Sequence, residues 1–276
     1  MADDDRARRA LAHVAALSSG PPVDEALRVT LNFHPDRLVR GRLVLAAMAE
    51  DARYLSQFAT GTSNGGLTAF PGGDRWRWES RMFGTVYDDA SDLDRPVYGA
   101  VTAPARAVGA APRFGSAHLR LTAAAVSRTT FCYPDSVEEP ESFGVAAAMP
   151  LLALAAADQR DALDDYVEAH VHGPVRIPDH VEALILDPSY RGSEVEVAAR
   201  RLGCPVEWHG GFSVSVAELR RHPDYRGRRY VDLAAQVAEH GRLDPRMIGD
   251  AARAGRHDEQ DLKRVWHYLA RFGAPG

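Results

Sequence analysis

The stretch 164-DDYVEAHVHGPVRI-177 decides how the chain is read. Alternation from Val167 to His172 predicts a strand with Val167, Ala169 and Val171 on one face and Glu168, His170 and His172 on the other. A carboxylate and two imidazoles side by side are costly to bury unless something pairs with them. Three surroundings meet that demand. They are bulk water, a metal ion held through the H-x-H pair with Glu168, or a cleft whose chemistry uses the carboxylate.

Working outward, further strands are expected in "ALRVTLNFHPD", "RPVYGAVT", "SAHLRLTAAA" and "RTTFCYPD". "HVEALILDPSY" is expected to pair with the Glu168 strand across the Gly173-Pro174 turn. Helices are expected over about residues 5–17 and in the amphipathic run "RLVRGRLVLAAMAEDA". The apolar run "FGVAAAMPLLALAAAD" reads as a core helix, and three more helices close the chain over about 231–239, 244–255 and 258–271. Strands not regularly separated by helices favour an α+β fold over a doubly wound sheet. A single domain over 1–276 is expected, its core about 25–192 and a mixed, mainly helical C-terminal extension about 193–276.

The net charge of -5 and pI near 6.1 exert no general pull toward nucleic acid or anionic membranes. Positive charge is almost all arginine. Lys263 is the only lysine, and its place in a C-terminal helix speaks against Schiff-base chemistry near a glycine-rich loop. Cys132 and Cys204 lack metal-ligand spacing and are expected to be buried free thiols. With a charged N-terminus, no visible signal peptide and no apolar run long enough to span a bilayer, a protein without membrane contact is expected, either cytoplasmic or delivered as an effector.

The segment from about 54 to 95 combines Gly61, Gly65, Gly66, Gly72 and Gly73 with Arg75, Arg77 and Arg81. It also carries Phe70, Trp76, Trp78, Phe83 and Tyr87, too aromatic for disorder, so an ordered binding loop is expected. Glycines let a backbone approach an anion, and guanidinium groups face phosphates well. The spacing is neither a P-loop nor a dinucleotide fingerprint. "NFHPDR" sets Asn32, His34, Asp36 and Arg37 at a strand end, and "APRFGSAHL" sets Arg113, Ser116 and His118 at a strand start. No G-x-S-x-G elbow is present, which argues against a serine hydrolase.

The segments "LNFHPDR", "GTSNGGLTAFPGGDRWRWESRMFG", "RPVYGA", "PRFGSAHLRL", "TTFCYPDS" and "YVEAHVHGPV" together resemble a bacterial family of unknown function, over nearly the whole chain. More remotely, the chain looks like the ADP-ribosyltransferase fold, particularly its DNA-modifying toxin branch. That resemblance implies a split β-sheet core with helical N- and C-terminal extensions, NAD as substrate, and no metal. Carried over by position, His34 with Asn32 would grip the nicotinamide end. The loop with Asn64, Gly65 and Gly66 would cover the cofactor, and Arg75 or Arg113 would bind its pyrophosphate. Ser116 or His118 falls on the middle strand, and Glu168 matches the catalytic carboxylate. Trp78 and Arg81 would face the acceptor.

Two departures bear on the acceptor. The aromatic-Ser-Thr motif of the common toxin branch is missing, and Tyr166 stands two residues before Glu168 where that branch has Gln or Glu. Both shift the expected acceptor from protein arginine to a nucleic acid or small molecule, with an immunity or antitoxin protein as a further partner. Two other classes stay open: a metal-dependent hydrolase using His170, His172 and Glu168, and a non-catalytic nucleotide-binding module.

Overall fold

In the computed structural model, which describes residues 2–61 and 67–275, eight strands hydrogen-bond into one sheet. In chain order they are β1 (Thr30–Phe33), β2 (Val97–Val101), β3 (Ala117–Leu121), β4 (Thr129–Tyr133), β5 (Ser142–Val145), β6 (Val167–Val171), β7 (Val181–Leu186) and β8 (Val206–Trp208). Across the sheet the order is β8-β7-β3-β1-β2-β6-β4-β5, and every neighbouring pair is antiparallel except β7–β8. Among the described residues, the α-helices longer than four residues are α1 (Ala2–Ala16), α2 (Val44–Asp51), α3 (Asp74–Met82), α4 (Leu151–Ala157), α5 (Glu194–Ala199), α6 (Arg228–Val237), α7 (Pro245–Arg253) and α8 (Glu259–Phe272). The fold is α+β, as expected, and among the described residues no helix is long and apolar enough to cross a membrane.

The sheet is split in the middle. β1 pairs with β3 from Thr30 to Phe33, and β2 pairs with β6 from Val97 to Val101. Between them, β1 and β2 share the single rung Thr30–Ala100. Gly99 permits that approach, because a Cβ there would lie 2.6 Å from Leu31 Cδ2 and 2.8 Å from the Thr30 carbonyl oxygen. Past this rung the half-sheets separate and leave a cavity.

One face of the sheet buries Leu31, Leu119, Val167, Ala169 and Leu184 with α2, α4 and α5. Trp78, Met82, Phe83 and Tyr87, with Ala10 and Val14 of α1, cover the opposite face over β4 and β5. The C-terminal helices gather around Trp266, Phe212 and Leu269. The Trp266 Nε1–H ties them to the core by donating to the Pro112 and Arg113 carbonyl oxygens, 3.1 Å each.

Four expectations need correction. The run expected as one helix from 37 begins as a hairpin, Leu38–Val39 with Arg42–Leu43, and only Val44–Asp51 is helical. Arg40 and Gly41 both take positive φ, 51° and 75°, the two-residue turn geometry that breaks the helix. The apolar run around 143–157 likewise divides into β5, a turn at Val145–Ala148 and α4 after Pro150. The 54–95 segment is partly helical, because α3 buries Arg75, Trp78, Glu79 and Met82 at positions i, i+3, i+4 and i+7. Finally, β7 pairs with β3 and β8, whereas β6 lies between β2 and β4.

Candidate active site

β6 and His172, the residue directly after it, present Glu168, His170 and His172 on one face, as the alternation predicts, and all three are buried. They do not share one environment. His172 is enclosed by two hydroxyls, Tyr87 Oη at 2.7 Å from Nδ1 and Thr130 Oγ1 at 3.0 Å from Nε2, and stacks on Tyr87. Burial, then the charges of His170 and Arg128, bring its pKa down to about 3, so it is a neutral core residue. His170 lies between Phe83 and Tyr98, edge-on to both, with Nε2 at 2.9 Å from Glu168 Oε1.

Only Glu168 reaches the cavity in the split. That cavity holds about 60 Å³ and is walled by Asn32, Gln57, Arg75, Tyr98, Asp135 and Phe114, among others. Ser136 Oγ–H donates to Glu168 Oε2 at 3.1 Å, and the Cys132 thiol lies 3.8 Å from Oε1. Burial alone would raise the Glu168 pKa. The hydrogen bond and charge of His170, then Arg75 and the Ser136 hydroxyl, outweigh it and hold the carboxyl below its usual range.

Arg75 completes the site. It leaves α3 almost fully buried, with its guanidinium 4.1 Å from the centre of the Tyr98 ring. Burial opposes its charge, but Tyr98, Glu168 and Glu79 outweigh that and keep it protonated. Its Nε and Nη1 have no hydrogen-bond partner among the described residues. Buried donors are rarely left so. Asp135 is a second carboxylate on the wall, bonded by the Tyr166 hydroxyl. Burial and then repulsion by Glu168 raise its pKa, so the two acids are pushed in opposite directions.

The other expected site residues scatter. Asn32 lines the cavity, but its amide is spent on the 108–115 loop, donating to the Val108 and Gly115 carbonyls and accepting from the Ala111 N–H. His34 lies outside this cavity, edge-on to Trp266 at 5.0 Å, where burial, Arg37 and Lys263 lower its pKa to about 3. Arg113 pairs with Asp164 and lines a different cavity. Ser116 is fully buried and His118 nearly so, and neither lines the wall. Trp78, expected to face an acceptor, is a core residue tilted against Phe143 and His170. Arg81 lies over its ring at 5.0 Å and 3.6 Å from Glu139, on the surface. Asn64, Gly65 and Gly66 fall outside the described residues.

The H-x-H pair does not converge on a metal position, because both nitrogens of His172 face hydroxyls. Among the described residues, the donors that lie together, within 4.8 Å, are Cys132, Glu168 and His170. Burial and then Glu168 push the Cys132 thiol well up, against a thiolate ligand. The sequence reading missed Tyr98, Gln57, Phe114 and Asp135. Only Asp135 carried a local signal, "YPDS" directly after a strand.

A family model described as a protein of unknown function (DUF3626) matches residues 28–156 and 147–272. The chain belongs to this family. No curated protein matches the DUF3626 chain. Two solved structures similar to it are of DarT from Thermus sp. 2.9. The one in complex with carba-NAD+ is 14% identical over 68% of this chain and 97% of that chain, with a TM-score of 0.40. The one in complex with NAD+ is 13% identical over 66% and 94%, with a TM-score of 0.39.

Proposed function

We propose that this chain uses NAD to transfer ADP-ribose to a nucleic-acid or small-molecule acceptor, with Glu168 as the catalytic carboxylate. One observation carries the proposal. An ionised, buried Glu168 and a buried Arg75 with two unfilled donors face the same cavity in the split of the sheet. A site with a fixed negative and a fixed positive group suits a ligand that develops cationic charge near one end and carries phosphates at the other.

In the reaction, the bond between ribose C1′ and the nicotinamide nitrogen breaks and its electron pair goes to the pyridine ring. The positive charge left on the ribose is stabilised by Glu168, in a cavity where low polarity strengthens the attraction. The acceptor's lone pair then bonds to C1′, and its proton passes to Glu168 and on to solvent. His170, fixed by Tyr98 and Phe83, is a positioning residue that holds Oε1. Arg75 takes a phosphate oxygen on its free N–H groups.

Calorimetry with NAD on metal-free protein tests this. Wild type and Glu168→Gln are expected to bind within a few-fold of each other, and Arg75→Gln about tenfold or more weaker. No binding by metal-free wild type, with tight uptake of Zn²⁺, would overturn the proposal in favour of a metal site.

A further inference from the structure

A larger cavity, about 280 Å³, opens where α7 and α8 meet the end of β1. Its wall carries Arg37, Arg113, Arg253 and Lys263 against two carboxylates, Asp36 and Glu259. The cations are not equally satisfied. Arg113 pairs with Asp164, Arg253 is held by Asp250 and Asp36, and Glu259 lies 3.9 Å from Arg37. Gly249 lets α7 sit directly on Asp36, since a Cβ there would fall 1.5 Å from its Oδ2. Asp36 is thereby buried beneath the helix and also accepts from the Tyr190 hydroxyl at 2.9 Å.

Lys263, the chain's only lysine, is the exception. It is half-buried and makes no ion pair or hydrogen bond among the described residues. After burial, Arg113, Arg264 and Arg37 are the groups that most oppose its charge. Lys263 lies among these cations without a counter-charge of its own, which raises the energy of the empty state, and an anion relieves it. Phe114, Ile248, Leu262 and Trp266 supply an apolar wall beside them. Phe114 also borders the Glu168 cavity.

We propose that this cavity binds the phosphate-bearing part of a nucleotide, with Lys263 as the main phosphate ligand and Arg37 and Arg113 beside it. The nucleotide comes either from the ADP half of NAD or from a nucleic-acid acceptor. The site stands on its own residues and does not depend on the chemistry assigned to Glu168.

Calorimetry on the full chain tests it. ADP is expected to bind at least about tenfold more tightly than adenosine. Lys263→Gln loses about that factor for ADP, leaves adenosine unchanged and keeps the thermal midpoint, and Arg37→Gln moves ADP in the same direction. Equal affinity for ADP and adenosine, or wild-type ADP affinity in Lys263→Gln, would overturn the site. Displacement of ADP by NAD assigns the ADP half. Displacement by a 5′-phosphorylated oligonucleotide but not by NAD assigns the acceptor. Nicotinamide release together with unchanged ADP affinity in Lys263→Gln would sink this site alone. Lys263-dependent ADP binding without nicotinamide release would sink the transferase proposal alone.

Discussion

Two buried carboxylates and two buried guanidinium groups flank Tyr98, and they are arranged differently. Glu79 and Arg95 meet at 2.6 Å with 0% and 2% side-chain exposure. The Tyr98 hydroxyl adds a bond to Glu79 at 3.1 Å, and Phe58 lies under the Arg95 guanidinium. Glu168 and Arg75 act on each other through charge but form no ion-pair contact, and a cavity opens beside both. The first pair closes on itself through that direct contact, with only the Arg95 Nε left without a hydrogen-bond partner among the described residues. The second pair leaves both charges facing a cavity instead of each other, the difference that the role proposed for Glu168 requires.

The comparison breaks or sharpens at three points. The largest effect is expected for Arg95→Met, which strands the Glu79 carboxylate. Urea unfolding at pH 8 should show a loss of about 3–5 kcal/mol. Arg75→Met should cost no more than about 1 kcal/mol by the same measurement, since two of its donors have no partner to abandon. Equal losses would make both pairs structural.

Next come His170 and His172. His170→Ala should lower turnover about tenfold to a hundredfold, and shift the acid limb of the pH profile upward, because Glu168 loses the bond that holds it ionised. His172→Ala should leave that profile in place but cost about 1–3 kcal/mol of stability, as Tyr87 and Thr130 each lose one hydrogen bond. A profile that moves in both variants would contradict the division drawn between them.

The last test concerns pH. Burial, against Arg95, raises the Glu79 pKa to about 7. The folded state therefore holds this proton more tightly than the unfolded chain. The stability it contributes is complete below about 4.5 and is lost as pH rises through about 7. His34, His118 and His172, all lowered to about 3, run the other way and lose stability as pH falls below 6.5. The difference between wild type and Glu79→Gln isolates the carboxylate. It should shrink by up to about 1.4 kcal/mol per pH unit between pH 4.5 and 7, measured by chemical denaturation. A flat difference would mean that Arg95 holds Glu79 ionised throughout.

The alternation around Glu168 was legible because a strand's faces follow from a period of two. What that face meets was not. His170 and His172 lie under Phe83 and Tyr87, a covering set by α3 and the turns after it. α3 itself was hidden because two of its four core-facing positions are charged, Arg75 and Glu79, so no apolar stripe marks it. For the same reason Trp78 read as a loop residue facing the acceptor, not as part of the core. Tyr98 and Asp135 reach the site through pairing of β6 with β2 and through the turn after β4, contacts that no local spacing encodes. The resemblance named Glu168 and Arg75, which line one cavity in the split, and His34, which lies outside it.

Release of nicotinamide from NAD, followed for metal-free wild type and Glu168→Gln at matched saturation, is the direct measurement. The account predicts steady release by wild type and a drop of about a hundredfold to a thousandfold in the variant, with folding and NAD affinity retained. Equal release by both proteins, or release that appears only when a metal is added, would contradict it.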